Sequence, residues 1–241
     1  MDAEITYLYH SSFAVKTAAH VFVFDYYLDT PRGGLSQGVV DPAALRGDDV
    51  VVFASHRHPD HYSPLIFGWR REIPKIRYVV SGDIRTREDV LAAAPGQTYD
   101  LGDMTVRTLK STDEGVAFLI AADGLRLYHA GDLNCWKWKG DTAAENAEAE
   151  RAFRAQVDLL RGERVDLAFL PFDPRQEDDA FCGFDYFMRT VSPKFAVPMH
   201  SFGKTEFFER LRTDPRTAGY RDRILLYRDR GEVIPCGGLP Q

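Results

Sequence analysis

The stretch SHRHPDH at residues 55–61 concentrates side chains that can bind a metal ion. Three imidazoles and one carboxylate lie within six residues, directly after the apolar run at 50–54. Imidazole nitrogen and carboxylate oxygen are the ligands that zinc, iron and manganese sites use. This density of ligand-type residues at the mouth of a strand favours a metal site over unrelated surface or core residues. The four candidates are His56, His58, Asp60 and His61.

The spacing divides these candidates into two pairs. Residues two apart in an extended chain point to the same side, so His56 and His58 can grip one ion. A turn after Pro59 can then aim Asp60 and His61 at a second position close by. The motif therefore predicts ligands for two neighbouring metal positions.

Two later strand-like runs end in further candidate ligands. Asp132 follows the run at 125–129 after a glycine turn, and His200 directly follows the run at 195–199. We expect these side chains to meet the motif where several loops converge at strand ends. The expected set for one ion is Asp60, His61, Asp132 and His200; the set for the other begins with His56 and His58 and shares Asp132.

The elements that must position these residues are mostly strands. Apolar and alternating runs, separated by turn signals such as the hairpin dipeptide Asp123-Gly124, predict them. The predicted strands are residues 5–9, 12–16, 20–25, 50–54, 76–81, 97–100, 104–110, 116–121, 125–129, 165–170, 195–199, 224–227 and 232–234.

Helical patterns lie between and after these strands. The longest has Phe153, Val157 and Leu160 on one stripe, which predicts a face packed on the core. A series of strands followed by helices occurs twice, which is typical of a layered α/β fold, and no Pro/Ser-rich linker divides residues 1–241. We therefore expect a single domain. The predicted helices are residues 64–71, 85–94, 143–161, 184–191 and 205–212.

The composition limits the class of protein. With 241 residues, 44% hydrophobic and 27% charged, the chain can bury a sizeable core. A net charge of −6 argues against a nucleic-acid partner, because phosphate binding needs clustered cations. No run approaches the roughly 20 apolar residues of a membrane span, and no signal-peptide pattern opens the chain. Three widely spaced cysteines without a CxxC pattern, Cys135, Cys182 and Cys236, predict reduced thiols in a cytoplasmic protein.

The whole chain resembles the metallo-β-lactamase fold hydrolases. The HxHxDH element at 56–61 matches that family's most specific motif, and the Gly131-Asp132 pair matches its bridging carboxylate. Asp25 and His200 resemble the aspartate after an early strand and the last ligand. The opening YHSSF at 9–13 and the strand order resemble the lactonase-like branch, which includes ascorbate-6-phosphate lactonase and many bacterial hydrolases. The resemblance implies an α/β fold, a four-layer αββα sandwich of two mixed sheets flanked by helices.

One part of the family pattern is absent. The family supplies a histidine just before the strands that lead to Gly-Asp, but residues 109–116 read LKSTDEGV. Ser111 or Thr112 holds the expected place, and neither hydroxyl is a good ligand. Asp113 or Glu114 could supply a carboxylate instead. We therefore expect one firmly bound ion and a weaker or absent partner near His56 and His58.

Several other residues are candidates for the pocket or for supporting roles. His10 lies in an early loop, Tyr62 follows the motif, and Asp173 follows the strand at 165–170. Trp136, with Lys137 and Trp138 beside it, could wall a pocket and attract an anionic group; a simple aromatic patch or a subunit interface is an equal alternative. Asp25 is our candidate for orienting a ligand histidine. We expect His20 to be solvent-facing or on an edge strand, and His129 to be buried without binding metal.

The resemblance implies hydrolysis of an ester, lactone or phosphodiester bond. We expect a small-molecule substrate, on which the run at Trp136 to Trp138 could attract an anionic group. A metal ion lowers the pKa of bound water and polarises the bond under attack. Asp132 would hold or bridge the metal, and Asp60 would orient the water as a second catalytic residue. Zinc is the first choice, with manganese or iron also suited to this ligand set. The alternative is a non-catalytic metal- or ligand-binding protein on the same fold; retention of Asp60 argues against it.

Three subclasses of the family fit less well. Oxygen-reducing diiron members carry Glu where His58 stands, and the extra nucleic-acid arm of the nucleases and the C-terminal helical domain of the glyoxalase-like thioesterases have no counterpart in the sequence. We expect no nucleic-acid or membrane partner. A homo-oligomer is an open alternative for the aromatic run near Trp136.

Overall fold

Two β-sheets packed face to face form the centre of the molecule. The computed structural model describes residues 3–234. The first sheet has seven strands in the order β13-β1-β2-β3-β4-β5-β6. Its strands are β1 (Glu4–Tyr9), β2 (Ser12–Lys16), β3 (His20–Phe24), β4 (Asp49–Ala54), β5 (Ile76–Ser81), β6 (Leu91–Ala93) and β13 (Val233–Ile234).

The second sheet has six strands in the order β12-β11-β10-β9-β8-β7. Both sheets are mixed, because β3 to β6 run parallel in the first and β10 to β12 run parallel in the second, while the remaining pairs are antiparallel. The strands of the second sheet are β7 (Thr98–Asp100), β8 (Met104–Lys110), β9 (Val116–Ala122), β10 (Leu125–His129), β11 (Leu167–Pro171) and β12 (Phe195–Met199).

Helical segments cover the outer faces of the two sheets. A 3₁₀ helix, Pro64–Arg71, buries Ile66 and Trp69 against the outer side of the first sheet. On the second sheet Phe187 stacks on Tyr128, with ring centroids 4.7 Å apart. The layers therefore run helix, sheet, sheet, helix, and the expected αββα class is confirmed. The α-helices are α1 (Ala143–Val157), α2 (Ala180–Thr190) and α3 (Arg210–Thr213); the other 3₁₀ helices are Leu35–Gln37, Asp158–Leu160, Pro174–Asp179, Thr205–Glu209, Pro215–Thr217 and Arg221–Arg223.

Burial on both faces explains the unbroken apolar sequence of β4. Val51 and Phe53 point into the core between the sheets, where the ring of Phe53 meets that of Phe118 at 5.1 Å. Val50 and Val52 point the other way, into the cluster beneath the outer 3₁₀ helix. Because side chains alternate along a strand, a strand covered on both sides must be apolar at every position.

The long helical pattern after β10 is largely as predicted. Thr142 caps α1 and forms a capping box with Glu145, and Phe153 and Val157 are buried on the expected stripe. The regular helix ends at Val157, and the remaining predicted turn is the 3₁₀ segment that buries Leu160. The prediction of a single domain over residues 1–241 stays a prediction.

The prediction of a helix at residues 85–94 is wrong. This segment forms turns and then strand β6, which pairs parallel with β5 through contacts such as Val80 with Ala92. The open edge of β5 carries backbone donors and acceptors that need partners, and that requirement outweighs weak helix propensity. The helix predicted at 205–212 is also divided, and the strand predicted at 224–227 makes only an isolated bridge, Ala196 with Ile224, within residues 3–234.

His20 is not solvent-facing, contrary to the expectation from sequence. Its side chain is 5% exposed, with Nδ1 2.9 Å from Asp123 Oδ2 and Nε2 3.0 Å from Asp103 Oδ2. His20 begins β3 of the first sheet, whereas both aspartates lie in turns of the second sheet, so the imidazole links the two sheets. Burial opposes its charge, but hydrogen bonds to Asp123 and Asp103 outweigh this effect and raise the pKa of His20.

We predict that His20→Gln lowers the free energy of unfolding by about 2 kcal/mol at pH 6. A histidine whose pKa is raised in the folded state stabilises fully below its unfolded pKa, and this contribution disappears as pH rises through the folded pKa. The loss should therefore be larger at pH 6 than at pH 9. Urea unfolding of both proteins at the two pH values measures it, and equal losses would contradict the linkage.

Candidate metal centre

The candidate ligands meet at one edge of the sandwich, where parallel strands end. Asp25 follows β3, and the motif at 55–61 follows β4. In the second sheet Asp132 follows β10, Asp173 follows β11 and His200 follows β12. The carboxyl ends of neighbouring parallel strands point the same way, so the fold brings these distant segments together.

The first ligand group contains His10, Asp60, His61 and His200, whose ligand atoms all lie within 4.8 Å of one another. Asp132 adjoins this group, because its Oδ1 is 3.2 Å from Nε2 of His61 and 3.2 Å from Nε2 of His200. The structure thus brings together the whole set expected for one ion. It adds His10, which we had expected only near the pocket.

The second ligand group contains His56, His58, Asp113 and Asp132, again within 4.8 Å. Asp132 Oδ2 lies 3.6 Å from Nε2 of His56, so this carboxylate faces both groups. Asp113 therefore stands where the family histidine is absent from the sequence. The second group is also the more open one, with His58 37% and Asp113 44% exposed.

Ser111 and Thr112 have structural roles instead. The Ser111 hydroxyl accepts a hydrogen bond from the backbone N–H of Asp113 at 3.1 Å, which turns the chain at that residue. The Thr112 hydroxyl donates to the carbonyl of Asn134 and holds the loop that carries Asp132. Of the alternatives left open by the sequence, Asp113 joins the ligand group. Glu114 pairs with Arg57, although its Oε2 also lies 3.5 Å from Nε2 of His58.

Three ligand histidines are oriented by partners behind them. Nδ1 of His61 lies 2.8 Å from Asp25, and Nδ1 of His200 lies 3.0 Å from Asp173. Nδ1 of His56 lies 2.9 Å from the hydroxyl of Ser55, which itself donates to Asp25. Each partner accepts the Nδ1 proton and leaves the Nε2 lone pair directed at the site. Asp25 has the orienting position that its place in the sequence suggested.

The buried polar atoms at this edge fit a cation. The Nε2 atoms of His56, His61 and His200 and Oδ1 of Asp132 are buried and have no hydrogen-bond partner among the described residues. Leaving one such atom unsatisfied costs about 1–3 kcal/mol. Converging lone pairs on nitrogen and carboxylate oxygen are satisfied together by a divalent cation, so the donor set fits a metal.

The electrostatics of the centre favour a charged carboxylate. Burial raises the pKa of Asp132, but His61 and His200 outweigh it and bring the value well below the usual range. The same attraction overcomes burial and raises the pKa of His200. For His56, burial is the main effect and lowers the pKa.

The backbone at this edge is strained. His10, His200 and Phe202 have φ values of 57°, 69° and 50°, a region that costs free energy for residues with a side chain. Gly131 also has a positive φ, and a Cβ there would lie 2.5 Å from Cβ of Ser55. Only glycine allows the Asp132 turn to approach the motif this closely.

Aromatic side chains and one cation line the mouth. Trp136 stacks on Trp138 with a 5.8 Å centroid separation, and its indole N–H donates to the carbonyl of Asp132. The guanidinium carbon of Arg175 is 4.9 Å from the ring centroid of Phe202 and 5.6 Å from that of Trp138. Sequence reasoning missed Arg175; its position two residues after Asp173 was the available signal.

Three other residues that the sequence suggested for the pocket, Lys137, Tyr62 and Asp173, lie away from it or behind a candidate ligand. Lys137 points to Glu150, with Nζ 3.4 Å from Oε2. Tyr62 packs near Phe67, with the other apolar residues on the outer face of the first sheet. Asp173 is fully buried between His200 and Arg175.

The structure places His129 and the described cysteines as follows. His129 is buried, as expected, with Nε2 2.9 Å from the carbonyl of Ser11. Cys135 and Cys182 are free thiols, and Cys236 lies outside the described residues. None of the helices within residues 3–234 is long and apolar enough to cross a membrane.

Two packed mixed sheets and two ligand groups that share one carboxylate define a metallo-β-lactamase fold with a metal-type centre. Residues 4–200 match the family model described as the Beta-lactamase superfamily domain, and the chain belongs to that family. A protein called UPF0173 metal-dependent hydrolase, from Opitutus terrae, is 28% identical over 221 residues, which cover 81% of this chain and 83% of the relative.

Solved structures show the same fold at low sequence identity. Igni18, a metallo hydrolase from the archaeon Ignicoccus hospitalis, has a TM-score of 0.65 and 17% identity, and the match covers 96% of this chain and 97% of the other. YhfI from Bacillus subtilis, a metallo-beta-lactamase fold protein, has a TM-score of 0.56 and 12% identity, over 97% and 99% of the chains.

The sequence led us to expect one firmly bound ion. Because Asp113 joins the second group, we now predict close to two divalent ions per chain after dialysis against Zn²⁺. Asp113→Ala should lower the content toward one, since the remaining ligands of that group are fewer. Elemental analysis measures the ratio. Asp89→Ala is the control, since it removes an exposed carboxylate outside both groups, and it should stay near two. One ion in the wild type, or equal loss in both variants, would contradict the role of Asp113.

Proposed function

We propose that the protein is a metal-dependent hydrolase that opens an ester, lactone or phosphodiester bond in a small anionic substrate. The observation that carries the proposal is the buried carboxylate of Asp132, which lies 3.2 Å from two histidines of one ligand group and 3.6 Å from a histidine of the other. Family membership and the named relatives agree with hydrolysis. The lactonase-like branch, inferred from the opening YHSSF, is part of this proposal.

The bound cation would act as a Lewis acid on the substrate and would lower the pKa of a water molecule bound to it. Zinc is the first candidate for this nitrogen and oxygen donor set, with manganese or iron as alternatives. The residues that would hold it are the ligands expected from the sequence together with one more carboxylate: His56, His58, Asp60, His61, Asp132, His200 and Asp113. His56, His61 and His200 would bind it through Nε2, since Asp25, Ser55 and Asp173 fix the orientation of their rings.

Asp60 is the proposed proton acceptor. Its side chain is 31% exposed, so the carboxylate is open to solvent at the mouth of a centre whose histidines 10, 61 and 200 are buried. A carboxylate in this position can orient a water molecule and accept its proton during attack on the substrate. This role explains why the motif contains an aspartate. A site that only held a structural ion would not need one.

Arg175 is the proposed anchor for the anionic group of the substrate. Its Nε and one terminal nitrogen bind Asp173, while the other terminal nitrogen has no hydrogen bond to any residue in the described part of the chain. The side chain is 51% exposed at the mouth. Guanidinium groups bind carboxylate and phosphate strongly, and the tryptophan pair beside it suits a flat apolar portion.

The non-catalytic alternative is less well supported. It rested on an incomplete second ligand group, but Asp113 brings that group to four candidate residues. The cytoplasmic location and the homo-oligomer stay predictions.

We predict that Asp60→Ala lowers kcat by about 10²–10⁴-fold, because proton transfer loses its acceptor. Hydrolysis of generic lactone and phosphodiester substrates, with Zn²⁺ or Mn²⁺ added, provides the measurement. Asp89→Ala, which removes an aspartate outside both ligand groups, should keep wild-type rates. Metal-dependent turnover that survives Asp60→Ala would refute this role, and metal binding without any turnover in the wild type would favour the non-catalytic alternative.

We predict that Arg175→Gln raises KM about 10–100-fold for an anionic substrate and leaves KM for a neutral ester nearly unchanged. The range corresponds to one charge-assisted hydrogen bond of about 1.5–3 kcal/mol. Arg175→Lys, which keeps the charge, should recover part of the affinity. Lys137→Gln is the control, because Lys137 is another cation of this region whose side chain points to Glu150 and away from the centre. A KM increase of equal size for the neutral ester would instead indicate that Arg175 acts only by holding Asp173.

A further inference from the structure

We propose that His10 is a hydrogen-bond donor in the active site and not a metal ligand. The part of this inference that concerns catalysis rests on the proposed hydrolase function; the part that concerns the proton and the metal does not. By position alone His10 would count as a ligand, since its ring nitrogen lies within 4.8 Å of the ligand atoms of Asp60, His61 and His200.

The proton on the His10 ring is placed by a backbone contact. The N–H of Phe202 donates to Nδ1 of His10 at 3.2 Å. A ring nitrogen that accepts a hydrogen bond carries no proton, so Nδ1 is bare and the proton of the neutral imidazole is on Nε2. Nε2 then has no lone pair to give to a metal.

The true ligand candidates have the opposite arrangement. In His56, His61 and His200, Nδ1 faces a hydroxyl or carboxylate that accepts its proton, so Nε2 is the nitrogen that can give a lone pair to a metal. Four buried imidazoles therefore converge on one centre, but three present a lone pair and His10 presents an N–H. This difference separates the ligands from the donor more sharply than distance does.

The surroundings prevent His10 from reversing its ring. Its backbone N–H donates to the Tyr7 hydroxyl, its carbonyl accepts the N–H of His200, and its ring packs 3.9 Å from the ring of Phe202. A half-turn of the ring would place carbon against the N–H of Phe202 and carbon toward the site. The observed orientation is thus the one that satisfies the backbone donor.

The Nε2–H of His10 lies among the candidate ligands and is not used by the protein itself. Nε2 is fully buried and has no hydrogen-bond partner among residues 3–234. Oδ2 of Asp60 lies 3.6 Å away, which is too long for a hydrogen bond. A fixed, buried donor beside a reacting centre stabilises the oxygen on which negative charge develops. We assign that role to His10, toward the carbonyl or phosphoryl oxygen of the substrate.

The protonated nitrogen can be observed directly. In a long-range ¹H–¹⁵N spectrum of the full chain, with and without Zn²⁺, His10 should show a protonated Nε2 and a bare Nδ1 in both states. In the zinc-bound protein, His56, His61 and His200 should show the reverse. Comparison with His10→Gln assigns the signal among the seven histidines. A protonated Nδ1 in His10, or a shift of its Nε2 signal to that of a zinc-bound nitrogen, would overturn the proposal.

Two substitutions separate donation from metal binding. His10→Phe keeps a ring but removes the donor, and it should retain the wild-type zinc content and a zinc Kd within about threefold. Its kcat should fall about 10²–10³-fold with little change in KM, the usual effect of losing one such donor. His10→Gln, which restores an N–H donor, should recover at least tenfold of that loss.

The contrary outcomes are distinct. Loss of one zinc ion in His10→Phe would make His10 a ligand, and an unchanged kcat would exclude donation to the substrate. A wild-type protein that turns over no substrate would refute the hydrolase function and the catalytic role together. The ¹⁵N spectrum and the zinc content would still decide whether His10 is a ligand.

Discussion

The arrangement of the metal centre depends on the buried carboxylate of Asp25. It accepts hydrogen bonds from the backbone and the hydroxyl of Ser55 and lies 2.8 Å from Nδ1 of His61. Burial opposes its charge, but His129 and His61 outweigh that effect and lower its pKa, so the carboxylate stays ionised. One residue thereby fixes His61 of the first ligand group directly and His56 of the second through Ser55. Without that charge, His61 and His56 would both lose the hydrogen bonding that fixes the orientation of their rings.

The rigid sandwich allows the loops at its edge to hold unfavourable conformations. Positive φ values occur at His10, Asp25, His200 and Phe202, all at or next to the centre. Such conformations persist only where the surrounding structure determines them, and here two sheets with a shared apolar core provide that support. The positive φ of Phe202 has a specific consequence, because in this conformation its backbone N–H points to Nδ1 of His10.

The centre combines buried imidazoles of two hydrogen-bonding patterns with a negatively charged interior and a positively charged mouth. The ligand histidines have acceptors behind them and lone pairs in front, whereas His10 has a donor behind it and a proton in front. Asp132 and Asp60 supply negative charge at the metal positions, while Arg175 supplies positive charge at the mouth. Together these features suit a cation inside and an anionic substrate outside.

The sequence alone predicted the fold class and most of the candidate ligands that the structure brings together. The spacing of the motif at 55–61, and the places of Asp132 and His200 after apolar runs, are local signals of strand ends and turns. The core stripe of α1 and the hairpin at Asp123-Gly124 were predictable for the same reason. The failed helix at 85–94 shows the limit, since the need of a neighbouring strand edge for partners is invisible in a local window.

Only the tertiary structure decided which residue replaces the missing histidine, where the cation at the mouth lies and which nitrogen of His10 carries the proton. Asp113 and Glu114 are equivalent in sequence, but in the structure Arg57 binds both carboxylate oxygens of Glu114, whereas Asp113 joins the ligand group of His56, His58 and Asp132. Phe202 lies 192 residues from His10, yet its N–H places the proton. These outcomes depend on hydrogen bonds and ion pairs between segments that only folding brings into contact, and no spacing along the chain encodes them.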